Sequence, residues 1–439
     1  MASGTAERTQ QGSAAAPRAP RRQGALFPRL HPGPSPRPGH VAHHQRMRLC
    51  GALIEALAAT PYDRLSVREL CALAGVSTRT FYVHFRGKHE CFLAAHDLAC
   101  TQALQGALAA GGRVVRGRSL ERELAAFLTL LAENEHAARF CALESFSAGA
   151  LGAQAARRSA AALAAAVAQL RQQAGLSCGP PWMAEALVAG VWRVVANRLG
   201  AGRAAELPAL AVPLARWLAT PCAAGPSSDL GAATPGARGR YGARALVGAD
   251  PALGGRRLAA FQLSPRRALM AAALDLGCRR GAGALCERAV AQAAALPVRR
   301  LREHFESPAQ CLAEALTLAW EELVQRLLVL ERAGGAQARI AALIDALAQD
   351  APFAQLGLEE VVAFGPAGVR ARERMMCGIE RLLEPDLPAQ LERPLAIEAG
   401  AGAIWGALGA CRRAGRLGAS PSLVPALLAL TSPEAIKQV

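Results

Sequence analysis

Lysine is nearly absent from this 439-residue chain: Lys88 and Lys437 are the two among 50 Lys and Arg. Arginine therefore carries the formal charge of +16. That balance favours a polyanionic partner, but a GC-rich coding bias yields the same arginine excess, so charge alone decides little. Aromatic residues make up 4% of the chain and β-branched alternation is scarce, which argues against a sheet-built core. The twelve cysteines hold no CxxC pair and no cysteine–histidine cluster of zinc-like spacing, so no metal site is assigned and most read as small core residues. No secretory signal and no uninterrupted apolar run of membrane length is visible; a reducing cytoplasm and no membrane partner are expected. Catalytic patterns are missing too: no Ser-His-Asp order, phosphate-cradling glycine loop or paired carboxylates at mechanistic spacing. The glycines from Gly400 to Gly406 lack the strand a dinucleotide fingerprint needs and suit close helix packing. No catalytic residue or cofactor is assigned, and Cys141 reads as a structural thiol rather than a nucleophile.

What remains is alanine, leucine and helical periodicity, so an all-α architecture is expected. Ser66 with Glu69 three residues on is a capping box that starts a helix, on which Val67, Leu70, Cys71 and Ala74 share a face. Gly75 follows where the chain must turn without a Cβ penalty. A second short helix starts at Ser77. With Val76, Phe81 and Phe85 packed inward, Thr78, Arg79, Thr80, Tyr82 and His84 face outward, a recognition-helix composition. Lys88 begins a third helix, where a cation opposes the helix dipole unless an anion such as a DNA phosphate lies in front of both.

The stretch AGVSTRTFYVHFRGKHECF, extended upstream through Arg48, Ile54, Leu57, Tyr62 and Val67, resembles the N-terminal DNA-binding domain of the TetR family of bacterial transcriptional regulators. The resemblance implies a helix-turn-helix reading double-stranded DNA, with Ser77, Thr78, Arg79, Thr80, Tyr82, His84 and Lys88 at the interface. It also implies a larger helical domain that dimerises and takes a small-molecule effector releasing the DNA. Phe127, Phe140, Phe146 and Met183 are the candidate pocket residues, although such spacings also describe ordinary core.

A shift of 220 residues lays Arg46 on Arg266, Leu49 on Leu269, His84 on His304, Phe85 on Phe305 and Cys91 on Cys311. Near the far end VAGVWRVVANRLGAGR resembles GAGAIWGALGACRRAGR, with Trp192 on Trp405 and Pro208 on Pro421. Matches at both ends, in order, point to two TetR-like units in one chain. The expected divisions are a disordered basic tail (1–44), a helix-turn-helix domain (45–92), a helical ligand and dimerisation domain (93–220), a flexible linker (221–262), a second, degenerate helix-turn-helix (263–312) and a second helical domain (313–432). In the second unit Ala295 stands for the turn glycine, Pro297 for the serine cap and Pro308 for Lys88. Arg299, Arg300, Arg302 and His304 are its candidate DNA contacts; a vestigial unit with solvated arginines is an equal alternative. A linker of about 40 residues spans roughly 30–40 Å, enough for the helices around Trp192 and Pro208 to pack on those around Trp405 and Pro421 as an intrachain pseudo-dimer. The competing arrangement is a homodimer of whole chains, and the competing function is a regulator-fold binding module working through protein or small-molecule contacts.

Overall fold

The computed structural model describes residues 38–111, 119–177, 179–220, 264–330, 335–384, 395–417 and 423–431. Residues 1–37, the expected linker, Pro421 and Cys178 lie outside the described residues. The first half runs α1 (Pro38–Leu57), α2 (Val67–Ala74), α3 (Thr78–His84), α4 (Lys88–Gly111), α5 (Ser119–Glu133), α6 (Glu135–Ala142), α7 (Ala150–Gln173), α8 (Met183–Gly200) and α9 (Ala211–Leu218). The second runs α10 (Pro265–Arg280), α11 (Glu287–Ala293), α12 (Val298–His304), α13 (Pro308–Leu330), α14 (Gly335–Gln349), α15 (Ala351–Gln355), α16 (Gly365–Leu383), α17 (Leu395–Arg413) and α18 (Leu423–Ala429). Among the described residues there is no strand, and no helix is long and apolar enough to cross a membrane.

One expectation needs correction at once. Helix α1 begins at Pro38, not near residue 45, so residues 38–44 are helical rather than part of the tail. Pro38 suits that place because a first-turn residue has no intrahelical acceptor for an N–H, and its fixed φ is already helical.

Two cores form. Leu49, Leu53, Leu57, Leu70, Phe81, Phe85 and Phe92 make a compact core under α1–α4, joined from the body by Phe140 of α6. Most other buried apolar residues share one continuous core, from Leu128 and Val194 through Leu269, Leu301 and Phe305 to Ile404. The second head, α10–α13, is thus part of the body's core, whereas the first has its own.

The halves meet where α8 lies on α17, and small residues bring the two backbones together. A Cβ on Gly402 would fall 2.7 Å from the Ala189 carbonyl oxygen, and one on Gly406 would fall 3.0 Å from that of Glu185. Across this seam Arg193, almost fully buried, pairs with Glu380 at 2.8 Å and with Glu373. Glu185 at the start of α8 pairs with Arg413 at the end of α17, while Glu398 at the start of α17 pairs with Arg198 at the end of α8 at 3.4 Å. Trp217 donates its indole N–H to the Leu430 carbonyl at 2.7 Å.

Candidate nucleic-acid interface

The helix pair α2–α3 is built from its caps outward. Ser66 Oγ accepts from the Glu69 N–H at 3.2 Å, and the Glu69 carboxylate accepts from the Ser66 N–H at 2.7 Å, which closes the capping box. The Ser66 hydroxyl also donates to the Glu69 carboxylate at 2.7 Å, and this bond, with that from the Ser66 N–H, holds the carboxyl below its ordinary range. Gly75 ends α2 in the left-handed region (φ 60°, ψ 41°), and the Val76 N–H returns to the Cys71 carbonyl at 3.0 Å. Ser77 then caps α3, accepting from the Thr80 N–H at 3.0 Å.

Two cations from outside the pair lock it, and a third ties α4 to the segment that leads into α2. Arg48 donates to the Ala74 and Gly75 carbonyls at the turn. Arg46 donates to the His84 carbonyl at 3.1 Å and lies over the Phe85 ring at 4.5 Å, closing the end of α3. Lys88 donates to the Tyr62 and Leu65 carbonyls at 2.6 and 2.8 Å and sits 4.3 Å from the centre of the Tyr62 ring. Partial burial lowers its pKa, a shift that Asp63 and Glu69 oppose. The awkward position of a cation at a helix start is thus met by carbonyls within the domain: two of its three N–H donors point inward, and a phosphate would have the remaining one.

On the outer face, Ser77, Thr78 and Arg79 are exposed, as is Tyr82 at 60%. Thr80 is half-buried with its hydroxyl 2.9 Å from that of Ser77. His84 is also half-buried, with Nε2 3.2 Å from Gln45 Oε1 and its pKa lowered by burial and by Arg46, so it belongs to the bracing of α3 as much as to its outer face. Sequence reasoning passed over Val83, which is 75% exposed beside Tyr82 and offers a methyl surface of the kind that meets a thymine methyl. Its helical position opposite Phe81 was the available signal. Arg64 and Arg68 are exposed alongside. The head presents a short helix with one arginine, one tyrosine, its ring edge-on to Phe81 at 5.3 Å, and one valine exposed on its outer face.

Residues 51–95 match bacterial regulatory proteins, tetR family. The match begins within α1 and ends within α4, so it covers the first head and none of the second half. No curated protein matches the chain. The first head is thus a tetR-type helix-turn-helix, and it supports a bacterial DNA-binding regulator.

The second head follows the same backbone course with different chemistry. Ala295 takes the turn position at φ 54°, the one non-glycine residue with positive φ among the described residues. The Leu296 N–H returns to the Ala291 carbonyl at 2.9 Å, as Val76 does in the tetR-type head. Cys286 Sγ caps α11 and Pro297 precedes α12 without a side-chain cap. Arg266 lies 5.3 Å from the Phe305 ring centre, repeating Arg46 over Phe85. Of the candidate contacts, Arg300 pairs with Glu303 at 2.8 Å and Arg302 with Glu287 at 2.6 Å, while Arg299 and His304 are exposed. Arg302 holds the Glu287 carboxyl below its ordinary range.

The four candidate pocket residues separate. Phe127 lines a cavity of about 230 Å³ between α4, α5 and α8, and Phe146 lines one of about 610 Å³ that reaches from α4 and α7 to α16 and α17. Phe140 and Met183 are core instead: Phe140 stands edge-on to Phe92 at 5.5 Å, and both are fully or almost fully buried because their helix faces turn inward. Arg372 lies in the larger cavity, its guanidinium 4.8 Å from the Phe146 ring centre and its buried Nε without a hydrogen-bond partner. The fold also gathers a cysteine–histidine group that spacing along the chain did not show. His96, Cys100 and Cys141 place their ligand atoms within 4.8 Å of one another. His96 and Cys100, four apart on α4, were the readable half of it; Cys141 arrives on α6. The hydrogen bond between the two sulfurs holds Cys100 below and Cys141 above the ordinary thiol range.

Proposed function

We propose that the protein is a cytoplasmic, effector-controlled transcriptional repressor in which the tetR-type head supplies the sequence reading and the second half is a degenerate copy paired with it inside one chain. DNA reading is carried by one observation: α3 is capped by Ser77 and held at its far end by Arg46, yet turns Thr78, Arg79, Tyr82 and Val83 to solvent. Such a helix enters a major groove, with Arg79 at a base edge or phosphate and Tyr82 on the backbone. The remaining Lys88 donor adds a phosphate contact.

Intrachain pairing is supported by the seam. Under the shift of 213 that lays Trp192 on Trp405, Ala189 corresponds to Gly402 and Trp217 to Leu430, and both pairs touch. Glu185 corresponds to Glu398, and each meets an arginine near the end of the helix that carries the other. Such reciprocity is what a twofold joint requires. The central charges are not self-complementary, however. Two first units meeting through α8 would leave Arg193 without Glu373 and Glu380, and stripping partners from a buried charge costs about 3–5 kcal/mol. That disfavours the homodimer. The pairing of Arg300 and Arg302 with carboxylates favours a structural role for the second head over DNA reading.

The effector in this reading is amphipathic and sits in the larger cavity, its acidic end on Arg372, the guanidinium left with an unmet donor. Selection of bound duplexes from random DNA, with α3 and α12 altered in turn, tests the whole reading. The expected result is an asymmetric site whose consensus shifts with α3 alone, bound by one chain in light scattering. A palindrome bound by two chains would replace intrachain pairing with a homodimer, and no enrichment would leave the protein-contact module.

A further inference from the structure

The buried thiol–imidazole group on α4 and α6 has no part in groove reading. His96 is almost fully buried, and its Nε2 has no hydrogen-bond partner. Its Nδ1 faces the Ser159 hydroxyl at 3.2 Å and Cys100 Sγ at 3.7 Å, and the two sulfurs are 3.5 Å apart. Phe92 and Phe140, with ring centres 6.4 and 5.6 Å from that of His96, hold the imidazole in place. The unmet Nε2 lies on the other edge of the ring; what points to a ligand is the convergence of Nδ1 with two sulfurs, three metal-ligand atoms within 4.8 Å of one another with no carboxylate among them.

We propose that His96, Cys100 and Cys141 bind a thiophilic d10 metal ion, Zn²⁺ or Cu⁺, and that its occupancy sets how the first head is held on the body. With metal bonds of about 2.3 Å to sulfur and about 2.0–2.1 Å to imidazole, the observed separations subtend about 100° between the sulfurs and about 115° between Cys100 and His96. Those angles fall within the tetrahedral-to-trigonal range these ions take. Two thiolates, one imidazole and no carboxylate select against Mg²⁺ and Ca²⁺. All three side chains also line the 610 Å³ cavity, so water or an anion from that space completes a fourth position for Zn²⁺, while Cu⁺ is satisfied by three. The ion ties α4 to α6, and α4 is the helix that starts beneath the head at the Lys88 clamp. An ion that binds one angle between these helices better than another shifts DNA affinity by that difference. This second step rests on the DNA-binding reading; the metal site does not.

The test uses the reduced full-length protein and the metals alone. Co²⁺, as the spectroscopic stand-in for Zn²⁺, is expected to bind one equivalent per chain with sulfur-to-metal charge transfer and tetrahedral d–d bands; Cu⁺ is titrated separately against a competing chelator. Cys100→Ser, Cys141→Ser and His96→Gln should each weaken binding by at least about 100-fold, since even outer partners of a site cost 10–100-fold. Cys278→Ser, remote from the group, should leave binding unchanged. Circular dichroism identifies any variant that fails to fold, and the remaining two then carry the comparison. The site is overturned if neither ion binds stoichiometrically, or if the folded variants bind as the parent does. Stoichiometric binding with unchanged operator affinity overturns the coupling alone, and absence of DNA binding with or without metal overturns the regulator reading while the titration still judges the site.

Discussion

The two heads share a backbone and differ in how it is held. The first closes its helix-turn-helix with Gly75 in a conformation free to glycine, a serine cap on each helix, and a core separate from the body. The second makes the same turn with Ala295, caps α11 with a thiol, leaves α12 uncapped, and merges its core with everything beneath it. What both retain is the clamp, Arg46 on Phe85 and Arg266 on Phe305. The same backbone course is thus held without those local signals where packing takes over, whereas a head that stands on its own core carries every cap. The difference also extends to the surface, where Arg300 and Arg302 of α12 are paired with carboxylates and Arg79 of α3 makes no ion pair among the described residues.

The largest break in this comparison should come from the equivalent core residues Phe81 and Leu301, both fully buried. Phe81→Ala is expected to cost about 3–5 kcal/mol and Leu301→Ala about 2–5 kcal/mol. Hydrogen exchange should show the first loss confined to residues 45–92 and the second spread through the body. Equal spreading from both would show that the first core is not separate. Next in size is DNA affinity: Arg79→Ala should cost about 1–3 kcal/mol and flatten the salt dependence, and Arg299→Ala should change little. Lys88→Ala should lower affinity and head stability together, because it also strips donors from the Tyr62 and Leu65 carbonyls. Fluorescence anisotropy across salt concentrations, beside thermal melts, separates the two. The smallest effect concerns the turns. Gly75→Ala should cost about 1–2 kcal/mol and Ala295→Gly should gain about 0.5 kcal/mol, as strain at positive φ is added or relieved. Matching melting shifts of one sign would refute the assignment of strain to Ala295.

Local chemistry was legible in the sequence and long-range chemistry was not. The Ser66–Glu69 box, the Gly75 turn and the order of helices follow from spacing of a few residues. The inward turn of Lys88 depends on carbonyls more than twenty residues away, and Cys141 joins His96 and Cys100 only once α6 is laid against α4. The π turn at 356–360, whose Leu356 meets Gly277 of α10, has no sequence signature either, yet it helps bind the second head to the body. Phe140 and Met183 misled because an aromatic or methionine at helical spacing fits a cavity wall and a core equally well.

The seam between α8 and α17 joins two stretches of one polypeptide, so its halves are synthesised together and in equal number. Diluting the protein cannot part them, because their meeting is unimolecular. If the pairing proposed above is the one that acts, such a joint is complete in the first copy a cell makes, with no threshold of expression to cross.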